Sequence, residues 1–295
     1  MSTSTDTTAQ PRLSSDSLHK RKARRIVGVT LRHLVSAVLA LTMVFPFLWM
    51  LSTSLKELND VFLFPPQWIP DPIRWDNYVR IWEAVPFARY FLNSIIMVAG
   101  TVVSQLIVST LAAYAFARLR FKGRNVVFLL VLAMMMVPVQ VRIIPMYLIT
   151  RFLGLLDTYA ALILPNVFNA FSIFLLRQFF LTLPKDMDEA AVIDGANHLQ
   201  IIVRVVVPLS AAVYSALSVF VFMGVWNALL WPLIATSTER MRVLAVGLAS
   251  FSDLYGTDWP LLMTASILVL LPTIIMYLAN QRFITQGIVM TGLKG

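Results

Sequence analysis

The sequence predicts an all-α polytopic membrane protein with six transmembrane helices and both termini cytoplasmic. Three observations predict it. Hydrophobic residues make up 58% of the chain and the mean hydropathy is +0.76, far above a soluble domain. Several apolar runs approach the ~20 residues needed to cross a bilayer. All 15 Asp and Glu residues fall between those runs or in the tails.

Residues 1–28 form a tail. Its first part is rich in Ser, Thr and Asp, a composition that favours disorder. The basic cluster from His19 to Arg25 follows, and a charged cluster just before an apolar helix reads as a topology anchor. Residues 29–295 form one transmembrane domain. The first span covers about residues 33–54. It is too long for a signal peptide and lacks a small-residue cleavage site, so it reads as retained.

Residues 55–88 carry five prolines with Trp68, Trp75, Tyr78 and Trp82 among charges. They read as a structured external loop with a short amphipathic helix over residues 76–83. Its aromatics suit a headgroup interface or a docked partner. Spans two to six follow at about residues 89–113, 125–138, 159–180, 209–234 and 260–280. The stretch after span three holds Arg142, Pro145 and Arg151 and reads as a partly helical return on the outer side. With this topology, 15 of the 24 Lys and Arg residues lie inside and 8 outside, as the positive-inside rule expects.

The spans contain no carboxylate. Intramembrane carboxylates commonly mark ion or proton pathways, so an ion-coupled carrier is disfavoured, and a neutral or anionic cargo fits better than a cation. A membrane-embedded lipid-modifying enzyme is disfavoured too. The chain has no cysteine, and His19, His33 and His198 lack metal-ligand spacing, so no catalytic or metal residue is assigned. The dipeptide Gly-Lys does not occur, which excludes a P-loop. Active transport by this chain therefore needs ATP hydrolysis on another polypeptide, with no cofactor of its own. The polar residues within spans include Asn93, Asn166, Asn169 and Asn227. They either hydrogen-bond neighbouring helices or line a wet passage for a hydroxylated solute. Trp226 and Trp231 either stack on sugar faces or belong to the interfacial belt.

One inner loop, residues 183–208, is large enough to dock such a polypeptide. Pro184 suits a first helical position, and Asp186, Asp188 and Glu189 complement a helix's positive end. Ala190 and Ala191 are small enough to let another surface come close. Gly195 sits where a C-terminal cap is expected, and a second helix starts near Asn197.

The loop reads Glu189-Ala190-Ala191, three residues, Gly195, nine residues, then Val205-Val206-Val207-Pro208. This resembles the E-A-A-x3-G-x9-I-x-L-P signature of binding-protein-dependent ABC importer permeases, with Val205 for Ile and Val207 for Leu. The segments FLNSIIMVAG, AAYAFARLRFKGR, GLLDTYAALILP, FLLRQFF, WNALLWPL and GLKG resemble the carbohydrate-type branch, which includes the smaller six-span maltose permease subunit. The resemblance covers residues 30–295.

It implies the type I ABC importer transmembrane fold in a bacterial plasma (inner) membrane. It implies a second homologous permease, a dimeric ABC ATPase that binds ATP and Mg, and an extracytoplasmic solute-binding protein, with membrane lipid around the spans and no nucleic acid. The coupling residues would be Met187, Glu189, Ala190, Ala191, Ile193, Asp194, Gly195 and Pro208, and Glu189 would meet a basic group of the ATPase. The C-terminal tail from Gln281 would reach toward the ATPase dimer. The expected cargo is a sugar, an oligosaccharide or a polyol derivative such as glycerol phosphate.

Overall fold

Apolar runs that are hydrophobic all round have no water-facing side, so they fold as helices whose backbone groups are satisfied within the segment. The computed structural model describes residues 15–249, 251–253 and 256–292, and these are mostly helical, with irregular connections and one small hairpin. Helix α1 spans Ser15–Ser54, α2 Asn77–Ala84 and α3 Phe87–Arg118. Next come α4 (Arg124–Ala133), α5 (Val139–Phe152), α6 (Tyr159–Ile163) and α7 (Ala170–Thr182). The inner loop forms α8 (Asp186–Ile193), α9 (His198–Ile201), a π-helical turn (Ile202–Val206) and α10 (Val207–Leu209). Helices α11 (Ala211–Trp226), α12 (Leu230–Ala235) and α13 (Leu244–Ala249) lead to the hairpin of β1 (Ser252–Asp253) and β2 (Gly256–Thr257), then to α14 (Trp259–Gly292).

Among the described residues, three helices are long and apolar enough to cross a membrane: Ile26–Ser54, Phe87–Arg118 and Trp259–Gln281. Three more crossings are bent pairs: Arg124–Met136 with α5 at 104°, Tyr159–Asn166 with α7 at 47°, and His198–Leu209 with α11 at 84°. Six spans result if each pair is one span.

Several boundaries differ from the sequence reading. Helix α1 begins at Ser15, inside the stretch expected to be disordered; residues 1–14 lie outside the described residues. Lys, Arg and Ala in that stretch are good helix formers and extend the span inward. Span four is not continuous: Asn169 is extended and caps α7, its Oδ1 accepting from Ser172 N at 3.0 Å. Span five also breaks, between Trp226 and Leu230. The tail expected after residue 280 continues α14 as helix to Gly292, and Lys294 and Gly295 lie outside the described residues.

Helix α3 is the axis of the molecule. It touches α2, α4, α6, α7, α11 and α13, and its buried face supplies Tyr90, Met97, Ala113 and Tyr114 to the core. Its 32 residues extend about 48 Å at 1.5 Å per residue. At one end, Asn93 is fully buried; its Nδ2 donates to the carbonyls of Arg240 (2.9 Å) and Arg242 (2.7 Å), and its Oδ1 accepts from Tyr159 Oη (2.7 Å). A side chain at Gly247 would collide with the Tyr90 ring, so α13 lies flush on α3 there. Helix α1 is the opposite case. No residue of its most apolar stretch is buried within the chain, and only its end, at Ser52, Thr53 and Ser54, is enclosed.

Candidate functional site

The inner loop is built from local signals. Helix α8 starts after Lys185, one residue beyond Pro184, and carries Asp186, Asp188 and Glu189 in its first turn. It ends in a Schellman motif. Gly195 adopts φ +81°, its N–H donates to Val192 O at 3.0 Å, and Ala196 N–H donates to Ala191 O at 2.9 Å. Helix α9 then opens with a capping box: Asn197 Oδ1 accepts from Gln200 N at 2.9 Å, and Gln200 Oε1 accepts from Asn197 N at 2.8 Å. Beyond it, Ile201, Ile202 and Val206 anchor the second arm in the core. Pro208 lies in α10, just before the 84° bend into α11.

The far end of α3 holds both arms of this loop. Arg118 Nε pairs with Asp188 Oδ2 at 2.8 Å, and Arg118 donates to Leu183 O at 2.9 Å. Tyr114 Oη lies 3.2 Å from His198 Nδ1 on the second arm. Asp188 and Ala191, three residues apart on α8, face inward and are half-buried. Met187, Glu189, Ala190, Val192, Ile193 and Asp194 are exposed, Ile193 to 85%. An apolar and acidic surface thus stands on a short helix whose back is fastened to the central helix. Sequence reasoning missed Arg118, Tyr114 and His198. Arg118 and its partner Asp188 lie 70 positions apart, so no local pattern joins them.

A second feature lies among the spans. A cavity of about 510 Å³ is bordered by the starts of α5 and α7 and by the junction of α11 with α12. Asn166 and Asn169 line it, as does Trp231, whose indole N–H donates to Ala161 O at 2.9 Å. Asn166 donates to Leu162 O, leaving its Oδ1 without a partner among the described residues. Asn169 spends its Oδ1 on the α7 cap, leaving its Nδ2 likewise. Gln140 and Arg142 on α5 join them, and sequence reasoning placed Arg142 only at the outer interface.

Three residues expected along the pathway do not line this cavity. Asn93 is committed to the backbone carbonyls and Tyr159. Trp226 stacks on Phe222 at 5.5 Å and donates to Val269 O, which makes it a packing residue. Asn227 is exposed and donates to Met223 O, closing the end of α11.

Known proteins resemble this chain in sequence and in fold. The family model described as "Binding-protein-dependent transport system inner membrane component" matches residues 105–286, which include the whole inner loop. The sn-glycerol-3-phosphate transport system permease protein UgpE of Yersinia pestis bv. Antiqua is 38% identical over 266 residues, covering 87% of this chain and 94% of that protein. The arabinooligosaccharides transport system permease protein AraQ of Bacillus subtilis is 33% identical, covering 88% and 93%. The fold is similar to that in a crystal structure of a bacterial ABC transporter involved in the import of the acidic polysaccharide alginate, with a TM-score of 0.78 at 24% identity, covering 92% of this chain and 99% of that one.

Proposed function

The chain belongs to the family of binding-protein-dependent transport system inner membrane components, and from that premise we propose that it forms half of the pathway of an ATP-driven importer in a bacterial inner membrane. A second, homologous permease supplies the other half. A solute-binding protein delivers cargo outside, and a dimeric ATPase inside binds ATP and Mg. This chain hydrolyses nothing. Its termini lie on the ATPase side. The cargo is a sugar, an oligosaccharide or a polyol derivative such as glycerol phosphate, a reading supported by relatives named for sn-glycerol-3-phosphate and arabinooligosaccharides.

The observation that carries the coupling role is the two-sided character of α8. Its inner side is fastened to α3 through Asp188, while Met187, Glu189, Ala190 and Ile193 stand exposed. A helix held at its back and bare at its front transmits a push as a rigid body. Closing the ATPase dimer would displace α8, and Arg118 would pass that displacement to α3. Glu189 would meet a basic group of the ATPase.

The test is reconstitution of the full complex in proteoliposomes with Glu189→Lys. Glu189 is exposed and in no ion pair among the described residues, so the fold should be untouched. Binding-protein-stimulated ATP hydrolysis and solute uptake should both collapse. Wild-type rates in the variant would refute coupling through this residue.

A further inference from the structure

We propose that the cavity beside α5 takes the anionic end of the solute, a phosphate ester or a carboxylate, with Arg142 as the residue that recognises it. The inference rests on the importer reading and names the cargo class within it.

Arg142 is the one charged residue lining the 510 Å³ cavity, and it also lines the adjoining 210 Å³ cavity, where no other charged residue appears. Among the described residues it takes part in no ion pair or hydrogen bond, and it is exposed to the space it borders. No carboxylate faces it from α3, the turns Met134–Met136 and Leu164–Asn166, α7, α11 or α12, the other elements around the two cavities, none of which contains Asp or Glu. An unpaired guanidinium that borders a cavity among the spans offers its charge to an anion that arrives there.

The backbone reinforces the sign of the site. The first turn of α5, which contributes Val139, Gln140 and Arg142, borders the main cavity, and so does the first turn of α7. Two helix starts facing one space add the positive ends of two backbone dipoles to the Arg142 charge. Asn166 Oδ1 and Asn169 Nδ2 offer one acceptor and one donor for hydroxyls, and the Trp231 ring offers an apolar wall. The set fits a small polyhydroxylated anion: a planar fork for two anionic oxygens, and amides for the hydroxyls beyond it.

The test uses the assembled transporter, without binding protein, in phosphatidylcholine nanodiscs. Binding of sn-glycerol 3-phosphate, glycerol, D-glucuronate and D-glucose is measured by calorimetry. The two anions should bind more tightly than their neutral counterparts. Arg142→Gln should weaken the anions about tenfold or more and leave glycerol and glucose unchanged, with Arg142→Lys between, because a lysine keeps the charge and loses the fork. Equal binding of anions and neutrals would overturn the proposal, and so would anion binding indifferent to Arg142→Gln. If no probe binds while loaded binding protein still stimulates ATP hydrolysis, Arg142 is neutralised by a partner carboxylate or a lipid phosphate, and the proposal fails with the importer reading intact. If binding protein does not stimulate the wild-type complex, the importer reading fails, and the comparison of anions with neutrals still decides what the cavity binds.

Discussion

Arg118 and Asp188 form a 2.8 Å ion pair, with side chains 5% and 17% exposed, that fastens the inner loop to the end of the central helix. Removing one partner of so enclosed a pair leaves the other charge poorly solvated, and that dominates the energetics. Asp188→Asn should therefore lower the stability of the complex by about 2–3 kcal/mol, with Arg118→Met costing a similar amount. The double variant should be less destabilised than the sum, giving a coupling energy of about 1 kcal/mol or more in a cycle of thermal unfolding measurements. Strict additivity would show that the two residues do not act on each other. Under the proposed coupling, uptake should fall further than stability accounts for, because a loosened α8 would no longer move α3 with it.

Gly195 makes a separate prediction. Its φ of +81° is a backbone region that L side chains adopt only with strain, and nothing lies within 4 Å of a Cβ placed there. The cost of Gly195→Ala is then purely conformational, about 1–2 kcal/mol, with Gly195→Asn cheaper because asparagine tolerates this region. The ranking Gly, Asn, Ala should hold both in melting temperature and in binding-protein-stimulated ATP hydrolysis. An alanine variant as stable as the parent would mean that the turn has another accessible geometry.

The inner loop was legible in the sequence because its determinants are local. An acidic first turn, Gly195 as cap and Asn197 at the start of the next helix each act within a few residues. The membrane class was legible from composition. What was not legible depends on distant partners. Asn93 reads as a polar residue in a span, and only the fold brings the carbonyls of Arg240 and Arg242 onto it. The breaks at Asn169 and Asn227 were hidden for a related reason: apolar periodicity runs through them, while side-chain capping decides where the helix stops. Arg142 was assigned to the outer interface by topology, because charge alone does not say that α5 turns 104° from the preceding helix and borders a cavity.

Asn93 is expected to matter for stability and not for solute choice. It makes three hydrogen bonds in a site with no solvent exposure. Asn93→Ala removes all three; the Arg240 carbonyl keeps its bond from Arg89 Nε at 3.1 Å, while the Arg242 carbonyl and the Tyr159 hydroxyl lose theirs. At about 1 kcal/mol or more for each of these two groups, the loss should reach about 2 kcal/mol. Thermal unfolding should show that loss, while the ratio of affinities for anionic and neutral solutes stays at the parent value. A changed ratio would return Asn93 to the pathway.

Asp157 gives the pH dependence. It ties two connecting segments together, its Oδ1 accepting from Ser237 N (2.9 Å) and Thr238 N (3.0 Å) and its Oδ2 from Thr238 Oγ1 (2.7 Å). Partial burial pushes its pKa up, but the hydrogen bonds from Thr238 and Ser237, with Arg240 nearby, outweigh burial and bring it below the ordinary 3.8. A carboxyl whose folded pKa lies below its unfolded one binds fewer protons when folded. Its stabilisation is complete above the unfolded value and disappears as the pH drops through the folded value. The parent should therefore lose melting temperature on acidification below about pH 4 through this group. Asp157→Asn lacks the titration, so it should be less stable at neutral pH and lose less on acidification, the two curves converging toward low pH. Other carboxylates contribute to both curves alike, so the difference between them reports Asp157. Parallel curves down through that range would show that the carboxylate is no better satisfied in the folded chain than in the unfolded one.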